Sequence, residues 1–382
     1  MDGCLELLHV KAHNYTMALE LLFNILRGAL CGKPYSRILT AKQLETVLNQ
    51  AEEQAIFGLV FNAIQNAEIV DKEDSAGDEV GKAQMAIFEA VGLQEQIKQQ
   101  NLLLNERAVL LSRIIASWNY KACVLKGQGV AQLYPEPLYR QSGDIDIWVD
   151  GTQDDIVSKL RDYFVGIRSI DYVHSNVAFF TDAEVEVHFR PSWMYNPFNN
   201  RKLQKFFSYN KKEQFDNIDK NVGFAYPTIS FNLVYSLIHI NRHIFEEGIG
   251  LRQLVDYYYI LKHSTSEERK VAFSQLCRLS LMKFAAAIMY IEKEVLGIED
   301  AFLLCTPDGK EGKFLLEEIM RGGNFGQHDS RNEWYDKDSR FKRGVFHLKR
   351  NWRYLKHYPS EVIWIPAWSI WHWCWRKWKG YL

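Results

Sequence analysis

The segment Arg140-Gln-Ser-Gly-Asp-Ile-Asp-Ile-Trp-Val149 constrains the fold more than any other stretch of the chain. Acidic and apolar side chains alternate through it, and a period of two is the pattern of a strand with one polar and one apolar face. Asp144 and Asp146 project together, and Ile145 and Ile147 project together on the opposite side. Two carboxylates on one face of a buried strand repel and desolvate each other, and a divalent cation is the usual remedy. Hard oxygen ligands favour magnesium or manganese over zinc. An isolated Asp-x-Asp reads first as an acidic pair at an exposed strand end, so the flanking residues have to decide.

Upstream, the short apolar run Ala122-Cys-Val-Leu125 reads as a buried strand closed by the turn Lys126-Gly127. A glycine turn lets the backbone approach a phosphate closely, and the lysine supplies a balancing charge. Downstream, Glu184-Val-Glu-Val-His188 alternates again, which places Glu184, Glu186 and His188 on one face and makes a third carboxylate available. Three carboxylates around two metals suit an in-line displacement at phosphorus with pyrophosphate leaving.

Around this mixed segment the periodicity is helical. Apolar residues recur at three and four from Asn14 to Leu30, from Thr40 to about Ala67, and over a long stretch from about Val80 to Trp118. An acidic loop at Asp71 to Glu79 separates the last two. Val130 to Tyr134 forms a helical turn, Asp154 to Phe164 a helix, and Ile145 to Val149, Val177 to Phe180 and Val185 to Phe189 strands. Helical spacing returns in Phe231 to Phe245, Leu251 to His263, Glu267 to Leu279 and Leu281 to Leu296. Arg321 to Gln327 and the charged residues through Arg343 read as an exposed connection. The expected fold is α+β, a small mixed sheet flanked by helical regions, with boundaries at 1–95, 96–215 and 216–382.

Composition narrows the function classes. With 47% hydrophobic and 24% charged residues the chain is ordinary for a globular protein. Its net charge of −1 gives no global attraction to nucleic acid. The six cysteines form no CxxC pair, which fits reduced thiols better than disulfides or a zinc site. The first residues lack the basic start and unbroken apolar run of a signal peptide. No window reaches the roughly 18 to 20 apolar residues of a membrane span. A cytoplasmic protein is expected.

The string Val124-Leu-Lys-Gly127, Leu133-Tyr-Pro135 and Arg140-x-x-Gly-Asp-Ile-Asp-Ile-Trp-Val149, continued by His174, Val185-Glu-Val-His188, His239-x-x-x-His243 and Gly250-Leu-Arg-Gln-Leu-Val-Asp256, resembles the uncharacterised nucleotidyltransferases related to polymerase beta and the antibiotic nucleotidyltransferases. The resemblance runs from near residue 95 to residue 263. It implies magnesium, or manganese, on Asp144, Asp146 and Glu186, and a nucleoside triphosphate near Lys126, Gly127, Arg140 and His188, with the acceptor unspecified. Members of the wider superfamily place Gly-Ser after the first strand. Here Gly127 precedes Gln128, so the phosphate grip differs. The third carboxylate is Glu rather than Asp, and Glu184 has the same parity as Glu186. A catalytically inactive nucleotide-binding scaffold on the same fold is the competing expectation.

Weaker signals remain. His239 and His243 share a helical face, a spacing that suits zinc, but they lack the Glu of an HExxH pattern and read as packing residues that line the cleft. Arg252 and Asp256, four apart, suit an intrahelical ion pair, with Arg252 a further candidate for the cleft. Between Phe341 and Leu382 lie nine Lys or Arg against Glu361 alone, with seven of the eleven tryptophans. A helix from Pro366 aligns Trp368, Trp371, Trp375 and Trp378. The stripe is expected to dock on the preceding helices or on a second subunit. The alternative is an anchor at an anionic membrane surface, with Arg376, Lys377 and Lys379 facing lipid.

Overall fold

The computed structural model describes residues 17–70, 78–163, 166–329, 331 and 349–381. The start of the first expected helix at Asn14, most of the acidic loop after Asp71, and the connection around Arg343 lie outside the described residues.

A five-stranded mixed sheet forms the centre: β1 (Ala122–Val124), β2 (Asp144–Val149), β3 (Gly166–Ile170), β4 (His174–Ala178) and β5 (Glu184–His188). The order across the sheet is β1-β2-β5-β4-β3. β2 and β5 run parallel, and the other neighbours run antiparallel. The edge strand β3 carries few apolar residues, and it escapes the sequence pattern for that reason.

Helices precede the sheet as α1 (Ala41–Glu53), α2 (Phe57–Ile64) and α3 (Asp78–Ser117). Thr40 and Gln43 close a capping box at the start of α1. The single helix expected from Thr40 to Ala67 is in fact two. Ala55 adopts a positive φ of 56° between them, and the groups freed there are taken by distant residues. Phe57 N donates to Gln141 Oε1 at 2.7 Å, and Gln54 Oε1 accepts from Leu251 N at 3.1 Å. The break therefore ties the N-terminal helices to the loop before β2 and to a later helix.

A short turn of helix, α4 (Gln128–Ala131), follows β1, and α5 (Gln153–Asp162) follows β2. Beyond the sheet come α6 (Pro197–Asp216), α7 (Ile229–Glu246), α8 (Leu251–Lys262), α9 (Ser266–Arg278), α10 (Met282–Glu294), α11 (Gly309–Gly322) and α12 (Ile365–Lys379). The polar α6, capped by Asn196 and opened by Pro197, has no counterpart in the sequence pattern.

The alternation in β2 sorts two cores. Ile145, Ile147 and Val149 pack with Val185 and Val187 against α5 and the end of α3. Trp148, on the other face, belongs to a larger core that includes Leu22 to Ile97 and Phe231 to Ile365. The N-terminal and C-terminal helical regions thus share one interior, and the polar face of the sheet looks toward it.

Candidate active site

The parallel register of β2 and β5 sets Asp146 opposite Glu186, Asp144 opposite Glu184 and Trp148 opposite His188. Carboxylate oxygens of Asp144, Asp146 and Glu186 all lie within 4.8 Å of one another. Glu184 does not join them. It is exposed and pairs with Arg168 of the edge strand β3, across β4. Of the two glutamates of equal parity, Glu186 is the one whose carboxylate joins Asp144 and Asp146, and Glu184 does not line the cleft.

Lys126, at the end of β1, points back over the sheet, its Nζ 2.7 Å from Asp146 Oδ1. His188 Nε2 approaches the same oxygen at 2.8 Å. Burial alone would push Asp146 up, but the Lys126 ammonium and the contact with His188 outweigh it and hold the carboxyl well below its usual range. Asp144 has no such partner: the adjacent Asp146 and burial push it up to about 6. Burial would lower His188, but the bonds to Asp146 and Glu186 raise it. His188 is 1% exposed and sits against Asp146. Gly127 adopts φ +50° in the turn after Lys126, a conformation costly to residues with a Cβ.

Arg140 lines the cleft, and its charge is matched. Its Nε and Nη2 donate to the two oxygens of Asp256 at 2.7 Å each, and Tyr134 Oη donates to Asp256 Oδ1 at 2.7 Å. The ion pair expected within α8 is thus replaced by one between α8 and the loop before β2. Arg252 Nη1 instead donates to the Gln141 carbonyl at 2.7 Å, and Asp144 feels its positive charge. Both arginines fix the loop that leads into β2.

The three carboxylates lie in a cleft of about 1690 Å³. One wall is α7, which presents His239, Arg242, His243 and Glu246. Burial holds His239 well below the usual imidazole range and brings His243 down to about 4, so both rings are neutral. Burial pushes the Glu246 carboxyl up to about 7. His174 also lines the cleft, 3.4 Å from Glu186.

The segment expected as an exposed connection contributes a second wall through Phe325, Gly326 and Gln327. Gly326 has φ +65°, and a Cβ there would lie 2.2 Å from the Glu247 carbonyl oxygen. The third wall is α12, which starts at Ile365 with Pro366 in its first turn. Trp368 stacks on Trp193 at 3.9 Å and 11°, and Trp368, Trp371 and Trp375 all meet Tyr172 edge-on. The stripe therefore docks on the loops around the sheet rather than on preceding helices, while Trp378 is 81% exposed. Asp171, Tyr172, Trp193 and Tyr195 line the cleft as well. No motif marks them in the sequence.

The donor set is chemically coherent. Three carboxylates converge, and Asp144 is raised by the charge of Asp146 and by burial, which is the environment of a site that could hold a metal ion. No helix among the described residues is long and apolar enough to cross a membrane. No match is found among curated proteins. Residues 40–297, which include the whole sheet, all three carboxylates and α7 and α8, match the family described as uncharacterised nucleotidyltransferase, and the chain belongs to that family.

Proposed function

We propose that the protein moves a nucleoside monophosphate from a nucleoside triphosphate to an acceptor, with Asp144, Asp146 and Glu186 holding magnesium or manganese. The observation that carries this reading is the convergence of three carboxylates from two parallel strands in a nucleotidyltransferase chain. Divalent ions bound there supply charge neutralisation for an in-line displacement, in which an acceptor oxygen bonds to the α-phosphorus as pyrophosphate leaves. Lys126, which neutralises Asp146 in the metal-free site, is free to turn to the triphosphate once cations take its place. The Gly127 turn brings backbone close to the phosphates, and Arg252 adds positive charge near Asp144. Arg140 acts indirectly, through Asp256, by holding the loop that starts β2.

A pocket for one small molecule typically measures about 300 to 1,000 Å³, and the cleft here measures about 1690 Å³. That surplus supports a second substrate beside the nucleotide. Asp146→Asn is expected to abolish magnesium-dependent transfer and to leave the thermal melt intact. Full activity in this variant overturns the reading. Failure of the wild type to bind magnesium–triphosphate in calorimetry favours a scaffold on the same fold.

A further inference from the structure

Beside the three carboxylates, β4 and β5 carry another set of donors. The antiparallel register pairs His174 with His188, and their ring centroids lie 5.0 Å apart. Glu186 Oε2 is 3.4 Å from His174 Nδ1 and 3.4 Å from His188 Nε2. The outer nitrogens of both rings are engaged. His174 Nε2 lies 3.3 Å from Asp171 Oδ2, and His188 Nδ1 lies 3.2 Å from the Arg190 carbonyl oxygen. Both neighbours are acceptors, so each outer nitrogen carries a proton, and the tautomers follow from that network.

The inner nitrogens, His174 Nδ1 and His188 Nε2, both face Glu186. His174 Nδ1 is shielded from water and makes no hydrogen bond. Asp146 Oδ1, 2.8 Å from His188 Nε2, is a further acceptor at the same point, matched on its other side by Lys126 Nζ at 2.7 Å. Such a group of acceptors is unfavourable unless a proton or a cation sits among them. A proton on His188 can satisfy Asp146 and Glu186, but it leaves His174 Nδ1 unmatched.

We propose that His174, Glu186 and His188 form a nitrogen-ligated transition-metal site that shares Glu186 with the all-carboxylate site. Their donor atoms lie within 4.8 Å of one another. The separation of 3.4 Å on both measured edges is the edge of a tetrahedron whose centre lies roughly 2.1 Å from each donor, the bond length of zinc to imidazole and carboxylate. Two imidazoles and a carboxylate with an open position suit zinc or a first-row neighbour and not magnesium. Asp171 and the Arg190 carbonyl supply the outer hydrogen bonds that orient metal-bound imidazoles. The site rests on the nucleotidyl-transfer reading only for the identity of the ion next to it.

The cobalt titration itself needs neither triphosphate nor acceptor. Metal-free protein is titrated with cobalt(II) under saturating magnesium while the visible d–d absorption is followed, and zinc is then added. The expected result is one equivalent of cobalt with the intense band of a four-coordinate site, in the wild type and in Asp144→Asn, bleached by zinc. His174→Ala should lose the band, and Asp171→Asn should weaken cobalt binding about 10- to 100-fold. Circular dichroism checks the fold of His174→Ala, and His174→Gln serves if that variant does not fold. No band in the wild type, or the same band without His174, overturns the proposal. Loss of cobalt binding with intact magnesium–triphosphate binding sinks this site and spares the proposed transfer, and the reverse outcome does the opposite.

Discussion

At the scale of single residues, the site is governed by unequal treatment of two neighbouring carboxyls. Asp146 has Lys126 and His188 bonded to it, whereas for Asp144 the repulsion of Asp146 and burial outweigh the charges of Lys126 and Arg252. A carboxyl raised to about 6 in the fold takes up its proton at a higher pH than in the unfolded chain. In the metal-free protein, this group therefore adds stability as pH falls from about 6 toward its ordinary value, and a bound cation must displace that proton. Metal binding is expected to weaken below pH 6 with proton release, read by calorimetry in buffers of different ionisation heat. Asp144→Asn should remove that release, and equal release in both proteins would contradict the assignment. The Arg140–Asp256 pair gives a second residue-level expectation. Asp256→Ala strands a buried guanidinium, so a loss of about 3 to 5 kcal/mol is expected in urea unfolding. A loss under about 1 kcal/mol would place the pair among interactions worth little.

At the scale of elements, legibility in the sequence followed period and burial. β2 and β5 were readable because one face of each is buried apolar and the other carries acids, so alternation, register and carboxylates all point the same way. The long α3 was readable through an unbroken run of helix formers. Elements that depend on partners distant in sequence were not. The division of α1 from α2 exists because Gln54 and Phe57 find Leu251 and Gln141, a tertiary choice that overrides local propensity. The polar α6 shows no apolar stripe, and β3 gains its place as the hairpin partner of β4. In the site, the shared faces of Asp144 with Asp146 and of Glu184 with Glu186 were legible from alternation, while the choice of Glu186 over Glu184 was not. The engagement of Arg140 by Asp256, the outward turn of Glu184 and the arrival of Phe325 in the cleft were not, since each is set by packing between elements. The Phe325 turn is testable on its own. Gly326→Ala places a Cβ against Glu247 in a left-handed conformation, which should cost about 1 to 3 kcal/mol. An unchanged melting temperature would show that this wall has room to shift.

At the scale of the whole molecule, the reactive face of a small sheet is enclosed by helices from the C-terminal half, with α12 as the last wall. α12 carries no acidic residue and buries one side against Tyr172 and Trp193. Truncation before Ile365 should leave the carboxylate site assembled and widen the cleft. Acceptor KM is then expected to rise about tenfold or more, the effect of about 1.4 kcal/mol of lost binding, while nucleotide affinity is unchanged. Unaltered acceptor KM would remove α12 from substrate recognition. The most direct measurement of the central claim uses triphosphates labelled at the α- or the γ-phosphorus, incubated with magnesium and cell extract in the presence of wild-type protein or Asp146→Asn. The account predicts that α-label enters an acceptor with wild-type protein alone, while γ-label leaves as pyrophosphate. Transfer of γ-label to an acceptor, or equal α-label transfer by Asp146→Asn, would contradict it.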